Sequence, residues 1–307
     1  MTLHVEIQEA ARNEATYLDM GSRKNYTALN QSDLEAISKI RKLQTLLFST
    51  GADFETYEPL SALPDLRKLA INHFSNEDLS SLGSITQLEE LSLSECEEYR
   101  SIDFLRTLPN LRVLDLTDGL FNDLTPIAGL KELRVLKLTN CTGVIDLAAL
   151  ADLKSLTTLD LRSTSATDLS PIRDLTCLRS LRLPGTASSI EPIRNLTQLE
   201  SFELSYCNTI TDFTFLTAFA NLKELTLCSA GLRDLSSLAS LRLLERLSVE
   251  SNQIEDVSPL ADLVKIRFLN LRGTNVRDLG ALRNLDLSEK LYLDFNVNYI
   301  NNPRQNR

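Results

Sequence analysis

The chain has 307 residues, 43% hydrophobic and 24% charged, with a formal net charge of −10. No apolar run reaches the roughly 20 residues that span a bilayer as a helix, and the acidic balance argues against nucleic acid, whose binding needs clustered lysine and arginine. The opening MTLHVEIQEAARNEA has neither a basic n-region nor an apolar h-region; no secretory signal peptide is read, and a cytoplasmic chain, or one translocated into a host cell without a cleaved signal, is expected.

Residues 4–15 place Val5, Ile7, Ala10, Ala11 and Ala15 among charges at mixed helical spacing, which predicts a short amphipathic helix over the first core layer. TYLDMG at 16–21 reads as a degenerate first strand, so residues 1–42 form an N-terminal cap. From Leu43 the pattern L-x-x-L-x-L returns every 21–23 residues, as LRVLDL at 111–116, LRVLKL at 133–138 and LTTLDL at 156–161. Its fourth position falls on Leu46, Leu69, Leu91, Leu114, Leu136, Leu159, Leu181, Phe202, Leu225, Leu247, Leu269 and Leu291. A repeat of this period marks a solenoid, in which each unit packs on its neighbours and length counts repeats rather than cores. STGADFETYEPL at 49–60 interrupts the pattern and is expected to be an irregular loop. The repeats run over 43–287; residues 288–307 hold the last strand, LYLDFN, and a thin cap, YINNPRQNR.

Each repeat has two halves. The first alternates side chains at period 2, as a strand does, with leucines inward and the intervening residues outward. One strand per repeat, always entered from the same direction, builds a parallel sheet. The second half, such as DLTPIAGL at 123–130 or DVSPLADL at 256–263, spaces its apolar residues by three and carries Pro126, Pro171, Pro192 and Pro259 where a helical first turn needs no N–H. Asp103, Asp123, Asp146, Asp168, Asp212, Asp234, Asp256 and Asp278 open these halves and are expected to cap them rather than bind metal. Cys96, Cys141 and Cys207 share a position with Thr164, Thr186, Thr274, Asn252 and Asn296, three residues past the last leucine. They are read as buried, weakly bonding packing residues; Cys177 and Cys228 lie outside that column.

The I/V-x-D-L-x-P-L second half and the 22-residue period resemble internalin-type leucine-rich repeats, which a eukaryotic regulator of protein phosphatase 1 shares. E-A-A-R-x-x-A-T-x-L-D-M-G at 9–21 is similar to the opening of many bacterial leucine-rich-repeat proteins. The resemblance covers roughly 43–296. It implies an α/β solenoid, a horseshoe with twelve or thirteen parallel strands on its concave face and short 3₁₀ or α turns on its convex face. It also implies binding rather than catalysis. Internalins are secreted and surface-anchored, whereas no leader or anchor is read here.

Little in the chain suits chemistry. No cofactor, metal site or catalytic residue is assigned. His73, with Glu95 one repeat on, and Cys228, beside Ser205 and Glu250, are the groups an enzymatic alternative would use. The outward strand positions form the binding face. Their central column runs from Leu47 through Asp115, Lys137, Asp160, Arg182 and Glu203 to Tyr292; the charges alternate in sign from 115 to 203, and lateral pairing is expected. Two groups depart from neutrality. Residues 76–125 hold eleven acids against three bases, and Glu90, Glu95, Asp115 and Asp118 are placed on the concave side, where they favour a basic protein partner. Phe268, Tyr292 and Phe295, near Arg246 and Arg272, form an aromatic end that suits a binding anchor, a cap under the C-terminal tail or a dimer contact. The leading expectation is a protein-binding module, acting as a bacterial regulator, a toxin-neutralising partner or an effector. The alternative is a sensor or scaffold segment of a longer protein.

Overall fold

The computed structural model describes residues 3–21, 29–48, 54–72, 78–94, 99–287 and 289–294. They belong to two compact units, Met1–Ser165 and Ala166–Arg307. The first contains α1 (Leu3–Arg12), β1 (Tyr17–Met20), α2 (Gln31–Ile37), β2 (Thr45–Phe48), β3 (Lys68–Ile71), β4 (Glu90–Ser92), β5 (Val113–Asp115), β6 (Val135–Lys137) and β7 (Thr158–Asp160). The second contains β8 (Ser180–Leu183), β9 (Ser201–Leu204), β10 (Glu224–Thr226), β11 (Arg246–Ser248), β12 (Phe268–Asn270) and β13 (Lys290–Tyr292). Strand order is chain order, in one unclosed thirteen-stranded sheet.

The leucine period sets the register. Leu18, Leu46, Leu69, Leu91, Leu114, Leu136 and Leu159 stand opposite one another in parallel pairs. In the second unit Leu181, Phe202, Leu225, Leu247, Leu269 and Leu291 do the same. All of these side chains are buried, and most residues flanking them are partly exposed, Asp160 and Asn270 being buried exceptions. A slip of one residue would turn every leucine outward, so the pattern itself fixes the pairing.

Both ends of the first repeat hold more order than the leucine pattern shows. Within α1 Ile7 is buried, while Val5 stays exposed. The second helix, α2, carries a capping box: Asn30 Oδ1 accepts the backbone N–H groups of Ser32 and Asp33 at 2.9 and 3.3 Å, and Asp33 Oδ2 accepts that of Asn30 at 3.1 Å. It buries Leu34 and Ile37. The insertion at 49–60 is less irregular than expected from residue 54 onward. Phe54 is buried between Phe48 and Tyr57, with ring centroids 5.2 and 5.6 Å away, and a 3₁₀ turn follows at Glu58–Ala62. Residues 49–53 lie outside the described part.

The second halves are 3₁₀ turns, with proline in the first turn at Thr125–Ile127, Ser170–Ile172, Glu191–Ile193 and Ser258–Leu260. Asp123, Asp146, Asp168, Asp212, Asp234, Asp256 and Asp278 each accept the backbone N–H two residues on, at 2.7–2.8 Å. This is the local side chain-to-backbone bond that stabilises a turn entry. Asp103 does not cap. It lies two residues past the capping position, which Ser101 fills by accepting the Asp103 N–H at 3.3 Å, and its carboxylate pairs with Arg106 instead. Thr56, Asp78 and Ser189 complete the column.

The caps make the fold acid-sensitive. Hydrogen bonds from the following serine or threonine hold the carboxyls of Asp78, Asp123, Asp168, Asp212, Asp234 and Asp256 below their ordinary value of 3.8. Each folded value is lower than the unfolded one, so the stabilisation is complete above 3.8 and is lost as pH falls through the folded values. The urea midpoint is therefore expected to hold steady from pH 7 to 5 and to drop below pH 4. Replacing Asp123, Asp168, Asp234 and Asp256 by Asn should flatten that acid limb; an equally steep limb would show that other carboxylates cause it.

Candidate partner-binding site

The strand positions on either side of the inward leucine make up the solvent face of the sheet. In the first unit their charges are largely paired. Lys68 Nζ lies 2.9 Å from Glu90, and Lys137 Nζ 2.9 Å from Asp115, which also accepts the Thr117 hydroxyl at 2.6 Å. Asp118 accepts Asn140 Nδ2 at 2.9 Å. Glu95 lies outside the described residues. Glu90, Asp115 and Asp118 are all half-buried, so three of the four expected acids stand on this part of the sheet with a partner each. The charge imbalance of 76–125 overstates the local field because Lys68 and Lys137 lie outside that window.

The expected lateral pairing holds for Asp115 with Lys137 and for Arg182 with Glu203, 3.4 Å apart in the second unit. Asp160 is only 1% exposed, and Arg162 of its own repeat folds over it, with Nε at 3.0 Å and Nη2 at 2.7 Å. Two residues apart on one strand end, a carboxylate and a guanidinium reach each other in fork geometry.

A further charge ladder runs, in part of each unit, along the residue after the first leucine of a repeat. Glu89 sits between Arg67 and Arg112 at 3.6 and 3.1 Å. Glu200 sits between Lys223 and Arg179, each at 2.7 Å. Lys223 and Arg179 hold the Glu200 carboxyl below its ordinary value, and Glu200 in turn raises the Lys223 ammonium. The alternation Arg179, Glu200, Lys223, Glu245, Arg267, Glu289 is legible in the sequence once that column is aligned.

The aromatic end is the most built of the candidate surfaces. Phe268 and Tyr292, diagonal to each other across β12 and β13, meet edge to face with ring centroids 5.5 Å apart. The Arg246 guanidinium lies 4.4 Å over Phe268, while Arg272 and Lys290 lie 4.7 and 4.5 Å from the Tyr292 ring. Arg246 is held in turn by Glu289 and by Glu224, the latter at 3.9 Å. Between these groups Asn270 Nδ2 donates to Glu250 at 2.8 Å and to Ser248 at 3.2 Å. Both rings remain half-exposed. Phe295 and the following tail lie outside the described residues.

The groups that an enzymatic alternative would use are Cys228 and His73. Cys228 is half-buried on the sheet face, and its sulfur lies 3.3 Å from the Ser248 hydroxyl. His73 is outside the described residues. Among the described residues no group of three or more His, Cys, Asp or Glu is gathered as metal ligands would be. A groove of about 500 Å³ in the second unit is lined by Asp212, Thr214, Arg233 and Asp234, of which the two aspartates are bonded to their own turns. Among the described residues, no helix is long and apolar enough to cross a membrane.

The cysteine column packs as expected at Cys141 and Cys207, both buried; Cys96 is outside the described residues. Cys141 donates to the Leu116 carbonyl at 3.1 Å, and burial pushes its thiol up to about 12. Thr186 departs from the column. Pro184 and Gly185 shift the chain so that Ala187 takes the buried place, and Thr186 bonds the Ala166 carbonyl from outside at 2.7 Å. Iodoacetamide at pH 8 is expected to label exposed Cys177 and leave Cys141 untouched until denaturant is added. Equal labelling in a peptide mass map would contradict the burial.

No family model matches the chain, and no curated protein matches it in sequence. Solved structures do. An internalin, InlF, from Listeria monocytogenes is 28% identical, with a TM-score of 0.73 over 89% of this chain and 85% of its own. A leucine-rich-repeat protein of Leptospira interrogans is 22% identical, with a TM-score of 0.67 over 97% and 82%. The functional domain of InlJ from Listeria monocytogenes, described as including a cysteine ladder, is 18% identical, with a TM-score of 0.56 over 89% and 66%.

Proposed function

We propose that this chain, a leucine-rich-repeat solenoid of the internalin type, is a non-enzymatic module that grips a protein partner on the solvent face of its sheet. The Phe268–Tyr292 pair with Arg246, Arg272 and Lys290 is its main contact. The observation that carries this reading is the pre-ordered stack: two half-exposed rings in edge-to-face contact, with three cations 4.4–4.7 Å from the ring centres. Aromatic and arginine side chains dominate binding energy when they are buried on association. Side chains already held by neighbours lose less conformational freedom on binding. The acidic group at Glu90, Asp115 and Asp118 has a minor part in contact, since Lys68, Lys137 and Asn140 already engage its carboxylates, and steering toward a basic partner comes from the chain's net charge of −10. We place the role inside the cell, as a regulator, a toxin-neutralising partner or a translocated effector.

Affinity capture with the full chain tests this. The double variant F268A/Y292A is expected to weaken a captured protein about 10- to 100-fold. E90K/D115K should change affinity by less than about 3-fold and act mainly on the salt dependence of association. Retention of the partner by the first variant and its loss with the second would move the contact to the first unit.

A further inference from the structure

In the second unit the residue just before each strand is charged. Arg179, Glu200, Lys223, Glu245, Arg267 and Glu289 precede β8, β9, β10, β11, β12 and β13, and their signs alternate without a break. Backbone hydrogen bonds hold successive rungs in line. Glu200 N donates to the Arg179 carbonyl at 2.7 Å, Lys223 N to that of Glu200 at 2.8 Å, Glu245 N to that of Lys223 at 2.8 Å and Arg267 N to that of Glu245 at 2.9 Å. The rungs therefore stand one strand spacing apart, about 4.8 Å, and none of the six side chains is buried. Glu200 is taken laterally by Arg179 and Lys223, and Glu289 by Arg246. Among the described residues Glu245 and Arg267 have no ion-pair partner.

An even number of alternating charges is complementary to itself. A half-turn about an axis through the middle of the ladder, between Lys223 and Glu245, reverses its order and returns it to its own trace. The reversal sets Arg179 against Glu289, Glu200 against Arg267 and Lys223 against Glu245, with opposite signs at every rung. The neighbouring columns add no like pair. Among the strand residues that follow the rungs, Glu224 meets Arg246 and Lys290 meets Ser180. The residues two places before the rungs are Cys177, Gln198, Asn221, Leu243, Lys265 and Leu287; their one charge, Lys265, meets Gln198, and none of them is buried. The first unit lacks this property. Its equivalent column reads Gln44, Arg67, Glu89, Arg112, Arg134 and Thr157, and the same reversal sets Arg67 against Arg134. Acids and bases also nearly balance in the second unit, whereas the first carries most of the net charge of −10. Self-repulsion is therefore small where the ladder lies.

We propose that two copies of this chain associate through the ladder, about a two-fold axis between Lys223 and Glu245. Charge complementarity names the occupant: a two-fold contact presents the same patch on both sides and must match itself, and the ladder does so at all six rungs. Glu245 and Arg267, unpaired within the chain, gain Lys223 and Glu200 of the second copy. Exposed charge pairs are individually weak and are screened by salt, so the dimer is reversible and salt-sensitive. The contact is independent of the partner-binding reading above.

Sedimentation equilibrium of the full chain tests this, with the variants K223E and E245K taken singly, mixed, and combined in one chain. The unmodified chain is expected to dimerise at low salt and to dissociate as salt rises. K223E sets acid against acid at two places across the axis, and E245K base against base; each is expected to weaken the dimer at least about 10-fold. An equimolar mixture of the two restores opposite signs across the axis and is expected to recover association as a heterodimer. The double variant K223E/E245K is expected to dimerise as well, although its charges no longer alternate along the ladder, which separates pairing between copies from pairing within one. Urea midpoints are expected to match the unmodified chain, since no substituted side chain is buried. A chain that stays monomeric up to about 1 mM leaves the ladder to an unlike partner and overturns the proposal. Single reversals that dimerise within about 3-fold of the unmodified chain overturn it, as does a mixture no more associated than its components.

Discussion

Asn252→Ala is expected to lower the stability of the second unit by about 3 kcal/mol, the cost of leaving two buried donors and several carbonyls unmatched. Asn252 fills the buried position three residues past a repeat's last leucine. Its Oδ1 accepts the N–H groups of Ala230 at 3.1 Å and Leu232 at 2.9 Å. Its Nδ2 donates to the carbonyls of Leu227 at 2.6 Å, Val249 at 2.9 Å and Glu250 at 3.2 Å. One side chain thus ties two consecutive repeats together where water cannot reach. Alanine removes every one of these partners, and the polar groups stay buried. Threonine is the informative control. At the same position Thr164 and Thr274 donate to the carbonyls of Leu161 and Leu271 at 2.9 and 2.7 Å. Asn252→Thr should therefore restore one bond and recover about half the loss. Urea unfolding at pH 7 reads both changes, and an Asn252→Ala midpoint within experimental error of the unmodified chain would show that the turn relaxes to satisfy its own backbone.

The strand register was legible because it follows from one periodic constraint. Every inward leucine must meet the leucine of the next repeat, and a shift by one residue is forbidden by burial. The turns were legible for a similar reason, since an aspartate two residues before a 3₁₀ start and a proline within it each satisfy a local backbone need. Where two candidates compete for one local need, spacing alone misleads. Asp103 has the right chemistry at the wrong place, and Ser101, two residues earlier, does the capping. The helix α2 is too short for its apolar spacing to announce it, and only the Asn30 and Asp33 pair carries the signal.

The candidate site was less legible, because its character depends on which neighbours a side chain finds. A count of charges in a sequence window placed an acidic patch at 76–125. The partners that neutralise it, Lys68 and Lys137, stand one repeat away, about 22 residues along the chain and one strand spacing across the sheet. The aromatic end could be read from outward strand positions, but not the cations over each ring, since a guanidinium several bonds from its backbone settles according to local packing.

Phe202→Ala is expected to cost more than the asparagine change, about 4 kcal/mol, as a large buried ring is lost and its cavity only partly collapses. Phe202 replaces leucine in the register column, between Leu181 and Leu225. The turn that follows it is longer than most, Thr214–Ala218, and brings Phe215 and Phe219 to 6.1 and 5.7 Å from the Phe202 ring. The sharper test is Phe202→Leu. Agreement with the repeat pattern argues that leucine should be neutral or stabilising. Packing argues the reverse, because Phe215 and Phe219 are spaced for a ring and would border a void beside leucine; a loss of about 1–2 kcal/mol is expected. Because each repeat draws its stability from its neighbours, hydrogen exchange in the alanine variant should accelerate first at β9 and β10, while β12 stays protected. In that case the Phe268 and Tyr292 contact survives locally, and partner affinity falls less than stability does. Uniform loss of protection across the unit would instead mean that it unfolds as one block, and binding and stability would then fall together.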